Sequence, residues 1–149
     1  SVSDTPLAPE GKEQAQKAGE LAKKYKIDLI VSSPLKRDNE TAKIIAEYAD
    51  VPAGKVLTNP LMRERDYGVL EGTEYTALKY KQVDDYKGVE PWSKVKSRAK
   101  EALEWMSSLQ ADNVLVVSHG SFGRALRSLV KPDVDFHIKL GNAEIERWL

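Results

Sequence analysis

Residues 113–120 read Asn-Val-Leu-Val-Val-Ser-His-Gly, and they constrain the fold more than any other stretch. Val114–Val117 is a short, wholly apolar run rich in β-branched residues, the pattern of a strand buried on both faces. Ser118, His119 and Gly120 follow, and then Ala125, Leu126, Leu129 and Val130 recur at helical spacing. A buried strand that ends in a polar triplet and opens into a helix aims that triplet at the helix N-terminus. Free backbone N–H groups and the positive end of the helix dipole favour an anion there. His119 is therefore expected to face a phosphate-like group.

The rest of the chain repeats the alternation. Pro9 and Glu10 open a helix whose face carries Ala15, Ala18, Leu21 and Ala22, ending near Tyr25. Residues 27–31 are the first strand, and they stop at Ser32-Ser33-Pro34. A second helix runs from Leu35 to about Asp50, with Ala42, Ile45, Ala46 and Ala49 along one stripe. Residues 55–58 form a short strand, and residues 59–72 a polar, glycine-bearing loop. Residues 73–86 could hold one irregular helix. Trp92, Val95, Ala99, Ala102, Leu103 and Met106 mark an amphipathic helix to about Leu109. Residues 135–140 are ambiguous, and residues 143–149 alternate like a last strand. Strands separated by helices predict an α/β fold of three layers, α/β/α, around a mostly parallel sheet, in a single domain over residues 1–149. In such sheets the functional crevice lies beyond the carboxyl ends of the strands. Two strand ends carry polar triplets, at Ser33 and at His119.

Composition narrows the function. Lys+Arg and Asp+Glu balance at 23 each, so no global field attracts nucleic acid or an anionic membrane. Cysteine is absent, which excludes disulfides, thiolate metal sites and cysteine nucleophiles, and a cytoplasmic location fits. No apolar run approaches the roughly 20 residues of a membrane-spanning helix. There is no phosphate-binding loop with its lysine, no Gly-x-Gly-x-x-Gly, and no His/Asp cluster at metal spacing.

Three side chains stand out beside Ser33 and Gly120. His119 could merely cap or pack at a strand end, but the glycine and helix that follow it favour a functional role. Arg37 sits in the first turn of a helix, where a cation opposes the dipole, so it does not serve helix stability. Its guanidinium fork can grip phosphate oxygens in two places. Glu64 lies in a loop between Arg63 and Arg65. Near a bound phosphate it could act as general acid; alternatively it is a surface carboxylate paired with those arginines. His137 more readily packs or caps than reacts, and Trp92, Trp105 and Trp148 suit core or rim positions.

Taken together, these segments resemble the histidine phosphatase superfamily, the phosphoglycerate mutase-like fold. Asp4-Thr5-Pro6-Leu7 with Gly11, Gln14 and Ala15 is similar to the family's stretch after its first catalytic loop. Ser32-Ser33-Pro34-Leu35-Lys36-Arg37 with Glu40-Thr41-Ala42 closely matches the next block. Leu61 to Gly68 with Glu71-Gly72 resembles the block carrying the proton donor, Val116 to Gly120 the second histidine block, and Gly141 to Ile145 the closing strand. The match runs in order along nearly the whole chain. The resemblance implies a metal-independent phosphomonoester hydrolase acting on a small phosphorylated substrate without a cofactor. Arg37 would bind the phosphoryl group, Glu64 protonate the leaving oxygen and His119 stabilise the transferring phosphoryl. Ser33 and the Gly120 backbone would line the pocket.

Two departures accompany the likeness. The family's first strand ends in Arg-His-Gly, whose histidine becomes phosphorylated, and nothing in the 149 residues matches it. Covalent catalysis needs that nucleophile in line with the leaving group. The expectation is an N-terminal segment ahead of Ser1 in the natural protein, and impaired catalysis without it. Loss of that strand would leave a gap in the middle of the sheet, open to a complementing N-terminal segment or to a homodimer partner. Asp38 and Asn39 also stand where the family usually has a small residue. Three readings follow: a phosphatase (with a mutase-type phosphotransferase as its alternative), a non-catalytic phosphate-binding module, or a phosphate-free α/β interaction domain.

Overall fold

The computed structural model describes residues 5–73 and 82–131. Strand β1 (Leu29–Ser32) lies between β2 (Val56–Thr58) and β3 (Val114–Val117), and both pairings are parallel. Parallel neighbours need crossover connections, and helices supply them. Helix α2 (Lys36–Tyr48) links β1 to β2, and α3 (Trp92–Ser108) lies on the path from β2 to β3. Helix α1 (Pro9–Ala22) precedes the sheet and α4 (Gly120–Val130) follows it.

The period of two along the strands sorts the core into two layers. Ile30 points with Val56, Leu115 and Val117 toward Ala15 and Ala18 of α1 and Ala42, Ile45 and Ala46 of α2. Leu29 and Val31 point the other way, with Val114 and Val116, toward Val95, Ala99, Ala102 and Met106 of α3 and Phe122, Ala125 and Leu126 of α4. The result is the expected three-layer α/β/α arrangement. Small residues let α1 and α2 approach closely. A Cβ on Gly19 would stand 2.6 Å from the Cβ of Tyr48, so any larger side chain there must push the helices apart. Trp92 and Trp105 pack at the margin of the second layer.

One expectation needs correction. β1 starts at Leu29 rather than at residue 27 and extends through Ser32. Among the described strands β1 pairs directly with both neighbours, Leu29 to Ser32 against Val114 to Val117, so any gap left by a missing first strand lies outside these three. β3 is instead an edge strand among the described residues. Its four residues are half-buried rather than enclosed on both faces, although their sequence is that of a central strand. The last-strand segment at 143–149, His137, Trp148 and part of the irregular helix at 73–86 lie outside the described residues. Within the last of these, Val83–Asp85 forms a single 3-10 turn.

Candidate active site

The register of β1 against β3 brings the two polar triplets together. Ser32 pairs with Val117, and the Ser33 amide donates to the Val117 carbonyl at 3.3 Å. Ser33 and Ser118 thus leave the sheet side by side at its carboxyl end. The Ser33 side chain is fully buried. Its Oγ accepts from the Leu35 amide at 3.3 Å and lies 3.1 Å from His119 Nε2. Pro34 and Leu35 carry the chain into α2, which starts at Lys36, so Arg37 falls in its first turn. From there the Arg37 Nη2 reaches 3.5 Å from His119 Nδ1. Three residues singled out in the sequence therefore meet at one point.

Glu64 is delivered by a different route. The loop after β2 begins where the Asn59 amide donates to the Ser32 carbonyl at 3.2 Å, and the Asn59 Oδ1 caps a 3-10 turn (Pro60–Met62) by accepting from the Leu61 amide. Met62 then plugs into the core with no exposure. Arg98 of α3 donates to the carbonyls of Leu61 and Arg63, and its guanidinium pairs with both oxygens of Glu90 at 2.7 and 2.9 Å. Arg65 donates to the Glu90 carbonyl and pairs with Asp84. Farther along, Gly68 adopts φ +52°, and a Cβ there would meet the Gly88 backbone at 2.4 Å, so only glycine allows the strand-like approach of Tyr67 to Val89.

Glu64, held between these anchors, is 9% exposed. Its Oε1 accepts from the amides of Arg65 at 2.8 Å and Phe122 at 3.1 Å, and its Oε2 from the amide of Ser121 at 3.2 Å. Ser121 and Phe122 open α4, whose N-cap is His119. The sequence predicts a phosphate-like group at this helix end; in the structure the Glu64 carboxylate satisfies two amides that the first turn leaves open, a contact the sequence did not suggest. Pairing with the neighbouring arginine side chains, the bland alternative for Glu64, is not how it is held; backbone amides hold it. Gly120 stands beside it, with a Cβ there lying 3.9 Å from Oε2, in ordinary contact.

Sequence reasoning passed over one member of the cluster. Asp38, the acid beside Arg37, is 8% exposed and places its Oδ2 2.6 Å from His119 Nε2. The available signal was an acid where the resembled family has a small residue. Tyr67 and Ser121, whose hydroxyls bond to each other, and Arg124, which donates to Ser121 Oγ at 3.0 Å, complete the polar rim at the start of α4.

The histidine phosphatase superfamily (branch 1) family model matches residues 1–147. The chain belongs to the histidine phosphatase superfamily. An uncharacterized phosphatase, PhoE, of Bacillus subtilis is 34% identical over 126 residues, 83% of this chain and 64% of the relative. Phosphoglycerate mutase-like protein 4 of Arabidopsis thaliana is 31% identical over 157 residues, 95% of this chain and 67% of the relative. The chain thus spans about two thirds of the length of these curated relatives. Among solved structures, a mycobacterial glucosyl-3-phosphoglycerate phosphatase superposes with a TM-score of 0.73 at 23% identity, covering 95% of this chain and 73% of that one. A phosphoglycerate mutase from Bacillus anthracis gives 0.71 at 24%, covering 87% and 70%. At these identities the likeness is one of fold, and it agrees with the phosphoglycerate mutase-like architecture expected for this superfamily. No helix among the described residues is long and apolar enough to cross a membrane.

The support beneath the Glu64 loop makes a pH prediction for this member of the superfamily. Burial pushes the Glu90 carboxyl up, but the hydrogen bonds and charge of Arg98, with the Asp66 amide and Lys94, outweigh it and hold Glu90 below its usual range. A depressed carboxylate contributes stability at pH values above the ordinary glutamate range and loses it as pH falls through its own lowered value. Arg98→Ala is expected to cost about 2–3 kcal/mol at neutral pH, because a largely buried carboxylate and two carbonyls lose their partner. Urea denaturation at pH 7 and at pH 3 checks this: the difference between wild type and variant should shrink in acid.

Proposed function

We propose that Arg37, His119, Glu64, Ser33 and the Gly120 backbone form the phosphoryl pocket of a metal-independent phosphomonoester hydrolase of the phosphohistidine type. The observation that carries this reading is the convergence of Ser33, Arg37 and His119 at the carboxyl ends of β1 and β3, with Glu64 docked on the helix that His119 opens. Arg37 grips the phosphoryl oxygens, and His119 stabilises the charge on the transferring group. The nucleophile of this chemistry is the histidine of an Arg-His-Gly segment, as the family resemblance implies. Its ring nitrogen forms the P–N bond while the P–O bond to the leaving group breaks. Glu64 gives the leaving oxygen its proton. Water then attacks the phosphohistidine and releases phosphate.

Hydrolysis is preferred to transfer on size. A mutase must shield its phosphoenzyme from water, and the segment between residues 73 and 91 is short for such a cover. The names of the relatives support either chemistry. The test is p-nitrophenyl phosphate hydrolysis by the chain extended with a strand ending in Arg-His-Gly. Free phosphate should be released, and His119→Ala should lower kcat by about 10²–10³-fold. Transfer to a second acceptor without phosphate release would favour the mutase. Full activity in the unextended chain, unaffected by His119→Ala, would refute the assignment.

A further inference from the structure

Asp38 has no place in the roles assigned above, yet it touches the central histidine. An acid in the first turn of a helix ordinarily serves the dipole from the surface. This one is turned inward, with its side chain only 11% exposed, and its ion pair is with His119 Nε2 at 2.6 Å. A carboxylate loses favourable hydration when buried and is retained where a partner compensates. The approach is not in line with the ring N–H, and Oδ2 makes no aligned hydrogen bond. The aligned contact of Nε2 is with Ser33 Oγ at 3.1 Å. Asp38 and Ser33 therefore address the same ring nitrogen, one by charge and one by a hydrogen bond. The other nitrogen, Nδ1, faces the Arg37 Nη2 at 3.5 Å. A guanidinium only donates, so a neutral ring must offer it a bare Nδ1 and carry its proton on Nε2.

We propose that Asp38 is a positioning residue for His119: together with Ser33 it holds one ring proton on Nε2 and turns Nδ1 toward Arg37, so that Nδ1 is the nitrogen that donates to a phosphoryl oxygen once the ring carries its second proton. The role of Nδ1 rests on the phosphoryl pocket proposed above; the placement of the proton does not. The logic is that of any carboxylate–imidazole pair, in which the partner of one nitrogen decides what the other can do.

The test is nitrogen NMR of the chain labelled at its two histidines, with His137→Gln to assign His119. At slightly alkaline pH, wild-type His119 should show a single tautomer, with Nε2 protonated and Nδ1 bare. Asp38→Ala should lose that single pattern, and Asp38→Asn, which keeps the shape but removes the charge, should lose most of it too. If Asp38→Ala does not fold, the comparison of Asp38→Asn and Ser33→Ala with wild type carries the result. A wild-type ring protonated on Nδ1, or an Asp38→Ala spectrum identical to wild type, would overturn the proposal. Added inorganic phosphate should perturb Nδ1 more than Nε2, and the reverse also counts against it. Phosphate that moves neither nitrogen would instead count against the phosphoryl pocket, while the tautomer still decides the role of Asp38.

Discussion

Glu64→Ala is expected to destabilise the protein by about 3 kcal/mol, because three amide donors lose their acceptor and two of them open α4. For a domain of this size that corresponds to a fall in Tm of roughly 10 °C. Glu64→Gln keeps one carbonyl oxygen but turns an NH2 toward the helix amides, and should lose about half as much. The two variants should part company with stability when turnover is measured in the chain extended by Arg-His-Gly. Both should lose about 10²–10⁴-fold in kcat, since neither can pass a proton to the leaving oxygen. A Glu64→Gln variant with near-normal kcat would leave Glu64 as a helix cap and nothing more. Thermal denaturation and a phosphomonoester assay on the same preparations separate the two roles.

Phe122→Ala should have the largest effect on stability, about 3–5 kcal/mol, through the lost apolar burial and the cavity left behind. Phe122 is fully buried in the layer formed by Met62, Val95, Ala99 and Leu126. Its ring also lies 5.1 Å from the Arg98 guanidinium, a cation–π contact that ties α4 to the anchor of the Glu64 loop. Its own amide donates to Glu64. The substitution therefore loosens the core and the site at once. Phe122→Leu, which refills most of the volume, should cost less than half as much in urea denaturation. Equal losses for the two variants would mean that the ring's contacts with Arg98 matter more than the space it fills.

Much of this was legible in the residues. The apolar run Val114–Val117 and the helical spacing after Gly120 predict β3 and α4, and both form there. The three layers follow from the alternation of helices and strands. Arg37 and His119 were recognisable because each breaks a local rule: a cation at a helix start, and a polar triplet closing a buried strand. Their meeting was not legible, since it depends on the register of Ser32 against Val117. The exposure of β3 was missed for a related reason: an apolar run reports how a strand is built to be covered, not which neighbours stand beside it. Glu64 illustrates a further limit. Local sequence surrounds it with arginine side chains, whereas two of its three amide partners are 57 and 58 residues away. Asp38 was visible as an oddity, but only its burial against His119 gives the oddity a role.

The most direct test of the phosphoryl pocket is the stabilisation of the folded chain by inorganic phosphate, followed as Tm against phosphate concentration. A ligand that binds only the folded state raises stability in proportion to the logarithm of its excess over Kd. Wild type should gain in Tm with rising phosphate, and Arg37→Ala should shift the curve to at least tenfold higher concentration, as expected for the loss of a charge-assisted contact. His119→Ala should do the same, whereas Lys12→Ala, on the exposed face of α1, should not. Equal phosphate responses in wild type, Arg37→Ala and His119→Ala would contradict a pocket built from these residues.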